Sequence, residues 1–173
     1  MNLNFYDSLD EQIVHTLHFP AQPIGQDSPV EIELHLWNRK DKTCNWTATD
    51  IEIFTRTATD LETGDTVING QEIVTEGLIE AKSYGVVGTG ITDDGQTSFT
   101  PITETASMSI GDIPVNCARK IFFRLKSISG NSTRKALFLI NILYNYLRKT
   151  VYKLVEHTSE NLFIGEDFIG DFL

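Results

Sequence analysis

The chain has 173 residues, with 24 acidic and 14 basic side chains and a formal net charge of −10. This length suits one well-buried domain with some excess chain, and it is too short for two ordinary domains. The negative balance disfavours nucleic acid as a partner. The longest apolar run, residues 136–147, is shorter than the roughly 20 residues of a membrane span, and residues 1–20 lack the basic start of a secretory signal. We therefore expect a soluble protein.

The first predicted strands are runs in which apolar and polar residues alternate, within residues 12–19, 30–37 and 48–57. A period of two residues is typical of a strand that has one face on a core and the other toward solvent. The second and third runs flank a charged connection and are expected to form a strand pair. We expect the polar face of the second run, with His35 and Trp37, to lie in solvent.

Further strands are predicted in the second half of the chain. They lie within residues 71–86, 103–114, 119–127 and 135–146. Gly, Pro, Asp, Asn and Thr clusters separate them, and such clusters are typical of turns. Residues 136–157 are rich in Leu, so a helix is the alternative there, although Ile, Phe, Tyr and the preceding "SGNS" turn favour a hairpin strand for the first half.

About seven or eight short strands without intervening helices predict an all-β antiparallel sandwich. We expect an N-terminal arm or first strand over residues 1–27, the sandwich over 28–150, and a C-terminal arm over 151–173. The apolar residues expected to face one core share the two-residue period. They are Ile32, Leu34, Leu36, Ile51, Ile53, Ile121, Phe123 and Leu125.

Charges are segregated along the chain. Residues 1–112 carry 5 basic and 19 acidic side chains, whereas residues 113–155 carry 9 basic side chains and no acidic one. Charge patterning of this kind indicates association, so the basic stretch predicts a docking surface for an acidic partner. The alternative is that its side chains only solvate a sheet face. The candidate partner contacts are Arg119, Lys120, Arg124, Arg134 and Lys135.

The C-terminal residues repeat an apolar pattern that includes Phe163, Ile164, Phe168, Ile169 and Phe172. A chain end with this much apolar surface requires a cover. One interpretation is an extended arm that binds another subunit. The other is a final strand that packs on its own domain.

No residue pattern predicts catalysis, a cofactor or a metal site. His15 and His18 would point to opposite faces of a strand, which is unsuitable for a metal pair. Cys44 and Cys117 lack metal-ligand spacing and are interpreted as two free thiols, although one disulfide is compatible with them. The acidic turns do not match a calcium loop, and solvated turns are the preferred interpretation.

Four stretches in order resemble the immunoglobulin-like sandwich of tailed-phage virion proteins: "SPVEIELHLWNRK", "TATDIEIFTRTATDLETGD", "VTEGLIEAKSYGVVGTGITDDGQTSFTPI" and "IGDIPVNCARKIFFRLKSISGNSTRKALFLINILY". The resemblance covers about residues 28–145, with the last stretch similar to the closing hairpin of those domains. The paired core cysteines and strand-C tryptophan of antibody domains do not stand at their usual places, which rules out that narrower kinship.

This resemblance implies a structural or attachment role in a virion, as a capsid decoration, neck or tail component. Partners would be other virion proteins and further copies of the chain. The alternative function is a carbohydrate-binding or host-surface adhesion module. In that case Trp37 and Trp46, with Tyr84 and Phe99, would stack on a sugar.

Overall fold

The computed structural model describes residues 3–19, 31–38, 46–58, 74–89, 91, 94–126, 138–146 and 149–153. These ranges form an all-β fold, which confirms the predicted class. The strands in them are β1 Leu3–Asp7, β2 Ile32–Asn38, β3 Ala48–Thr57, β4 Ile79–Val87, β5 Thr100–Pro101, β6 Met108–Ile113, β7 Cys117–Leu125, β8 Phe138–Tyr146 and β9 Lys149–Lys153.

The strands are arranged in two antiparallel sheets. Sheet A has the order β1-β2-β7-β4-β5, and sheet B has the order β6-β3-β8-β9. Buried side chains from both sheets belong to one hydrophobic cluster, so the two sheets share a core in a sandwich-like arrangement. In this core the rings of Phe5 and Phe123 meet edge to face with centroids 5.9 Å apart.

The predicted core residues are confirmed. Most of them are fully buried, because they lie on the inward faces of their strands, and Ile32 and Leu125 at the strand ends pack against the cluster while partly buried. The fully buried members are Leu34, Leu36, Ile51, Ile53, Ile121 and Phe123. Local alternation therefore identified the inward face of β2, β3 and β7 correctly.

Two predicted strand pairs are wrong. β2 pairs with β1 and β7, whereas β3 pairs with β6 and β8, so the runs flanking residues 39–47 lie in different sheets. Likewise β7 belongs to sheet A and β8 to sheet B, and they form no hairpin. The run that allowed a helix does form a strand, β8. Alternation shows which face of a strand is apolar but not which sheet the strand joins, so it could not distinguish these arrangements.

The strand predicted at residues 12–19 is also absent. Only Ile13 forms an isolated bridge, with Tyr6, and His15 and His18 lie exposed in irregular backbone. The core is instead covered here by the side chains of Val14, Leu17 and Phe19, which are three and two residues apart. Side chains with this spacing would not all lie on one face of a strand, so this segment buries them without forming a regular strand.

A turn after β1 covers part of the outer face of sheet A. Its backbone closes through the Asp10 amide, which donates to the Asp7 carbonyl over 3.0 Å, and Asp10 has a positive φ of 61°. The turn places Asp10 against His35 and Trp37, which are 3% and 9% exposed. The expectation that this face of β2 lies in solvent is therefore wrong at these two residues.

The segment after β4 also returns along sheet A. The Gly85 amide donates to the Asp94 carbonyl over 2.8 Å, and the Gln96 amide donates to the Ser83 carbonyl. Between them Gly95 has a φ of 81°, and a Cβ there would lie 2.2 Å from the Ser83 oxygen. Glycine is therefore required at this position for the segment to approach β4.

Among the described residues, no helix has the length and apolar character that crossing a membrane requires.

Candidate functional site

The predicted basic surface residues are distributed over both faces of β7. Lys120 and Arg124 lie on the outer face of sheet A, whereas Arg119 is 2% exposed and shares the inward face with Ile121. The burial of Arg119 corrects the expectation that its side chain belongs to an exposed surface. Arg134 and Lys135 lie outside the described residues, as do Phe163, Ile164, Phe168, Ile169 and Phe172.

The first group of charges on this outer face surrounds His35. Its Nδ1 lies 2.7 Å from Asp10 Oδ1, and its Nε2 lies 3.0 Å from Glu33 Oε1. Both ring nitrogens of His35 thus face a carboxylate. Lys120 Nζ donates to the same Glu33 oxygen over 3.0 Å, and the Trp37 indole N–H donates to Asp10. The N-terminal turn is thereby joined to β2 and β7.

Glu33 is held as a carboxylate by these contacts. Burial alone would raise its pKa, but hydrogen bonds from His35 and Lys120, with their positive charges, outweigh burial and keep the pKa below its ordinary value. A carboxylate that accepts two charged donors is well suited to hold strands together. Its proton affinity is too low for it to act as a general acid near neutral pH.

The second group is centred on Glu80 of β4, whose side chain is 5% exposed. Arg124 Nη2 lies 2.6 Å from Glu80 Oε2, and Lys126 Nζ lies 3.0 Å from Oε1. Burial would raise the pKa of Glu80, but hydrogen bonds from Lys126 and Arg124 and their charges outweigh it and lower the pKa. Both basic residues are therefore paired within the chain.

Cations also contact aromatic rings on this face. Lys82 Nζ lies 4.4 Å from the ring centroid of Phe99 and 4.9 Å from that of Phe122, and Arg124 Cζ lies 4.1 Å from the Phe99 centroid. Lys82 also pairs with Glu31 over 2.8 Å. These cation–π contacts fix the segment that carries Phe99 onto sheet A.

The predicted aromatic platform is not assembled as the sequence suggested. Trp37 is buried under the N-terminal turn, and Phe99 is engaged by Lys82 and Arg124. Trp46 and Tyr84 are 44% and 45% exposed. Of the two tryptophans singled out, Trp46 alone offers an accessible ring in the described part of the chain.

Of the two cysteines, the structure describes Cys117, and its surroundings disfavour a reactive thiolate. Cys117 is a free, buried thiol whose Sγ lies 3.1 Å from the Thr89 carbonyl oxygen, to which it donates. Burial raises the pKa of this thiol, which disfavours the nucleophilic thiolate. Cys44 lies outside the described residues.

In the ranges that the structure describes, no group of three or more His, Cys, Asp or Glu side chains could hold a metal ion. The organised feature of the surface is thus the pairing of opposite charges across β2, β7 and β4. Sequence reasoning missed it because Glu33 and Lys120 are 87 positions apart. The available signal was an acid, Glu33, on the polar face of β2 and a base, Lys120, on the polar face of β7, which favours pairing once these strands are neighbours.

No family model, no curated protein and no solved structure matches the chain.

Proposed function

We propose that the chain is a non-enzymatic virion structural protein of a tailed phage, acting through protein–protein assembly on an immunoglobulin-like sandwich. It would serve as a capsid decoration, neck or tail component, with other virion proteins and copies of itself as partners. The observation that supports this proposal best is the order of the strands in the two sheets.

An immunoglobulin sandwich of the constant type has strands A, B, E and D in one sheet and C, F and G in the other. In chain order, β1, β2, β3, β4, β7, β8 and β9 supply seven strands with the same arrangement. They give β1-β2-β7-β4 in sheet A and β3-β8-β9 in sheet B. β5 and β6 are then an insertion between the fourth and fifth strands, and each extends one sheet at its edge.

The paired charges on sheet A favour a stiff building block over a catalytic surface. Glu33 contacts His35 and Lys120, Glu80 accepts from Arg124 and Lys126, and the returning segments at Asp10 and Phe99 are fixed to the same face. Lys120 and Arg124 already form ion pairs within the chain. The positive charge that binds an acidic partner must therefore come from the other basic residues within 113–155. We assign Arg134 and Lys135 to this contact.

The direct experiment is quantitative mass spectrometry of virus particles purified by density gradient from the culture that produces this chain. We expect the chain at a fixed number of copies per particle, retained after a wash in high salt that removes adsorbed protein. Its presence in the lysate but absence from intact particles would contradict the virion role.

The alternative function, glycan binding at a host surface, is favoured by one observation, the 44% exposure of Trp46. Aromatic rings of this kind stack on the apolar faces of sugars. A glycan array would show binding that is lost in Trp46→Ala and retained in the control variant Leu9→Ala, because Leu9 is exposed and is no part of the aromatic platform. On the virion proposal, neither the parent chain nor either variant binds a glycan above background.

A further inference from the structure

The turn after β1 is held firmly against sheet A. The chain runs back along the outer edge of β1, where Ile13 bridges Tyr6 and the Val14 amide donates to the Phe5 carbonyl over 2.9 Å. At the centre of the turn, Asp10 is bonded to the two side chains of β2 described above. Because hydrogen bonds fix the turn at these points, its surface is preorganised before any partner binds.

This turn presents apolar side chains to solvent. Leu9 is 73% exposed and Ile13 is 42% exposed. Residues that pair across antiparallel chains point to the same face, so Ile13 lies on the outer face of sheet A beside the half-buried Tyr6. Single exposed apolar residues are ordinary on a protein surface, whereas two on one fixed turn form a patch that can anchor an interface.

The surroundings of this apolar patch are acidic. Residues 1–38 contain six acidic side chains and no Lys or Arg. Glu11 is exposed and Asp7 is partly exposed, and the Glu11 amide donates to Asp7 Oδ1 over 2.8 Å, which keeps the two residues together. A protein surface that binds the patch therefore has to bring positive charge to its rim.

We propose that the acidic apolar turn, residues 7–13, is the surface by which one copy of this chain binds the basic residues of a second copy. Charge complementarity favours this occupant, because residues 113–155 of the same chain carry 9 basic side chains and no acidic one. The two surfaces differ, so the contact is head-to-tail, and its repetition forms a ring or a row. The inference rests on the self-assembly proposed above and assigns its acidic side.

Replacement of the apolar patch tests the proposal. The full chain is compared with a Leu9→Ser, Ile13→Ser variant and with Trp46→Ser, since Trp46 is 44% exposed and lies outside the turn. Sedimentation velocity over a range of protein concentrations gives the dissociation constant of self-association. We expect this constant to rise at least about tenfold in the turn variant and to stay within about twofold of the parent in Trp46→Ser. Both variants should keep the cooperative unfolding of the parent, because the replaced side chains are exposed.

Charge reversal at the turn tests the electrostatic part. Glu11→Lys and the control Glu76→Lys change the net charge of the chain equally, and both glutamates are exposed. We expect Glu11→Lys to weaken self-association and to make it less sensitive to salt, because screening then acts on fewer attractive pairs. Glu76→Lys should behave like the parent. Equal weakening by the two variants would show that net charge alone matters and would overturn the assignment.

Cross-linking identifies the occupant. The photoreactive amino acid p-benzoylphenylalanine replaces Leu9 in the full chain, and isotopically labelled and unlabelled chains are mixed before irradiation. We expect links between two chains that map to residues 113–155 of the second copy. Links within one chain, links to other residues, or no link in the assembled protein would overturn the proposal.

The outcomes also separate this inference from the proposed function. Assembly that survives Leu9→Ser, Ile13→Ser but fails in Arg134→Glu, Lys135→Glu would reject the turn and leave self-assembly in place. A parent chain that stays monomeric at every concentration would overturn the inference, and incorporation into particles would still test the virion role by itself.

Discussion

Glu80 carries a buried carboxylate between two basic side chains, Arg124 and Lys126. Arg124 lies opposite Glu80 in the pairing of β4 with β7, and Lys126 follows the end of β7. The two-residue period of β7 is compatible with the outward position of Lys120 and Arg124, but it could not show that Glu33 and Glu80 would pair with them. Arg119 shares the two-residue period of Ile121 and Phe123, so its burial was readable from the sequence.

Replacing Glu80 should destabilise the fold. Glu80→Gln removes the charge that two cations share, and we expect a loss of about 1 to 3 kcal/mol in the free energy of unfolding. The matched control is Glu31→Gln, since Glu31 is 41% exposed and pairs with Lys82. For an exposed pair the loss should be less than about 1 kcal/mol. Urea unfolding monitored by circular dichroism measures the loss for each variant. Equal losses for Glu80→Gln and Glu31→Gln would contradict a special role of the buried Glu80 carboxylate in stability.

The two glutamates should also make stability depend on pH. Their pKa values in the folded chain lie below the ordinary value, so the unfolded chain binds more protons as the pH falls. Their contribution is complete above the usual glutamate pKa of about 4.3 and is lost as the pH falls through the lower folded values. We expect the urea midpoint to decrease from pH 6 to pH 3, and to decrease less in the Glu33→Gln, Glu80→Gln double variant. If the urea midpoint decreased with pH equally in the parent and the double variant, the two glutamates would not be the cause of the pH dependence.

At the scale of elements, β2 shows what a sequence can and cannot determine. Alternation fixes which of its side chains face the core, because that pattern is local, and Leu34 and Leu36 are buried as expected. Its neighbours β1 and β7 are not local: the pairing Leu34↔Ile121 joins residues far apart in the chain. The Asp10 turn was missed for the same reason, since nothing near His35 indicates a partner 25 positions earlier.

Leu34 provides a test of the core. Leu34→Asp would place a charge in the apolar cluster between the sheets, and we expect the chain to lose its cooperative unfolding transition. Leu9→Asp is the matched control, because Leu9 is 73% exposed, and it should unfold like the parent chain. Normal melting of the Leu34 variant in differential scanning calorimetry would be incompatible with the described core.

The turn after β1 provides a second test at this scale. Asp10→Gly keeps a backbone suited to a φ of 61° but removes the acceptor shared by His35 and Trp37. We expect Trp37 to become more accessible to a fluorescence quencher. Asp10→Asn retains an acceptor oxygen and should stay close to the parent. Since Trp46 contributes to the signal, both variants are made in a Trp46→Phe background. Equal quenching of the Gly variant and the parent would show that the turn does not protect Trp37.

For the whole molecule, the segregated charges lead to the expectation of assembly through basic residues other than Lys120 and Arg124, which are already paired within the chain. Reversal of Arg124 would break its pair with Glu80 and damage the fold. Arg134→Glu with Lys135→Glu is therefore the informative change. Ion pairs at an exposed interface weaken with salt, since screening acts over about 10 Å at 0.1 M.

Light scattering of the full chain after size exclusion, at 50 mM and 500 mM salt, tests the assembly claim most directly. One chain has a mass of 19.5 kDa. We expect a larger, defined multiple of that mass at low salt, a smaller species at high salt, and dissociation at both salt concentrations in the Arg134→Glu, Lys135→Glu variant. A mass of one chain at every protein and salt concentration would contradict the account and favour a monomeric binding module.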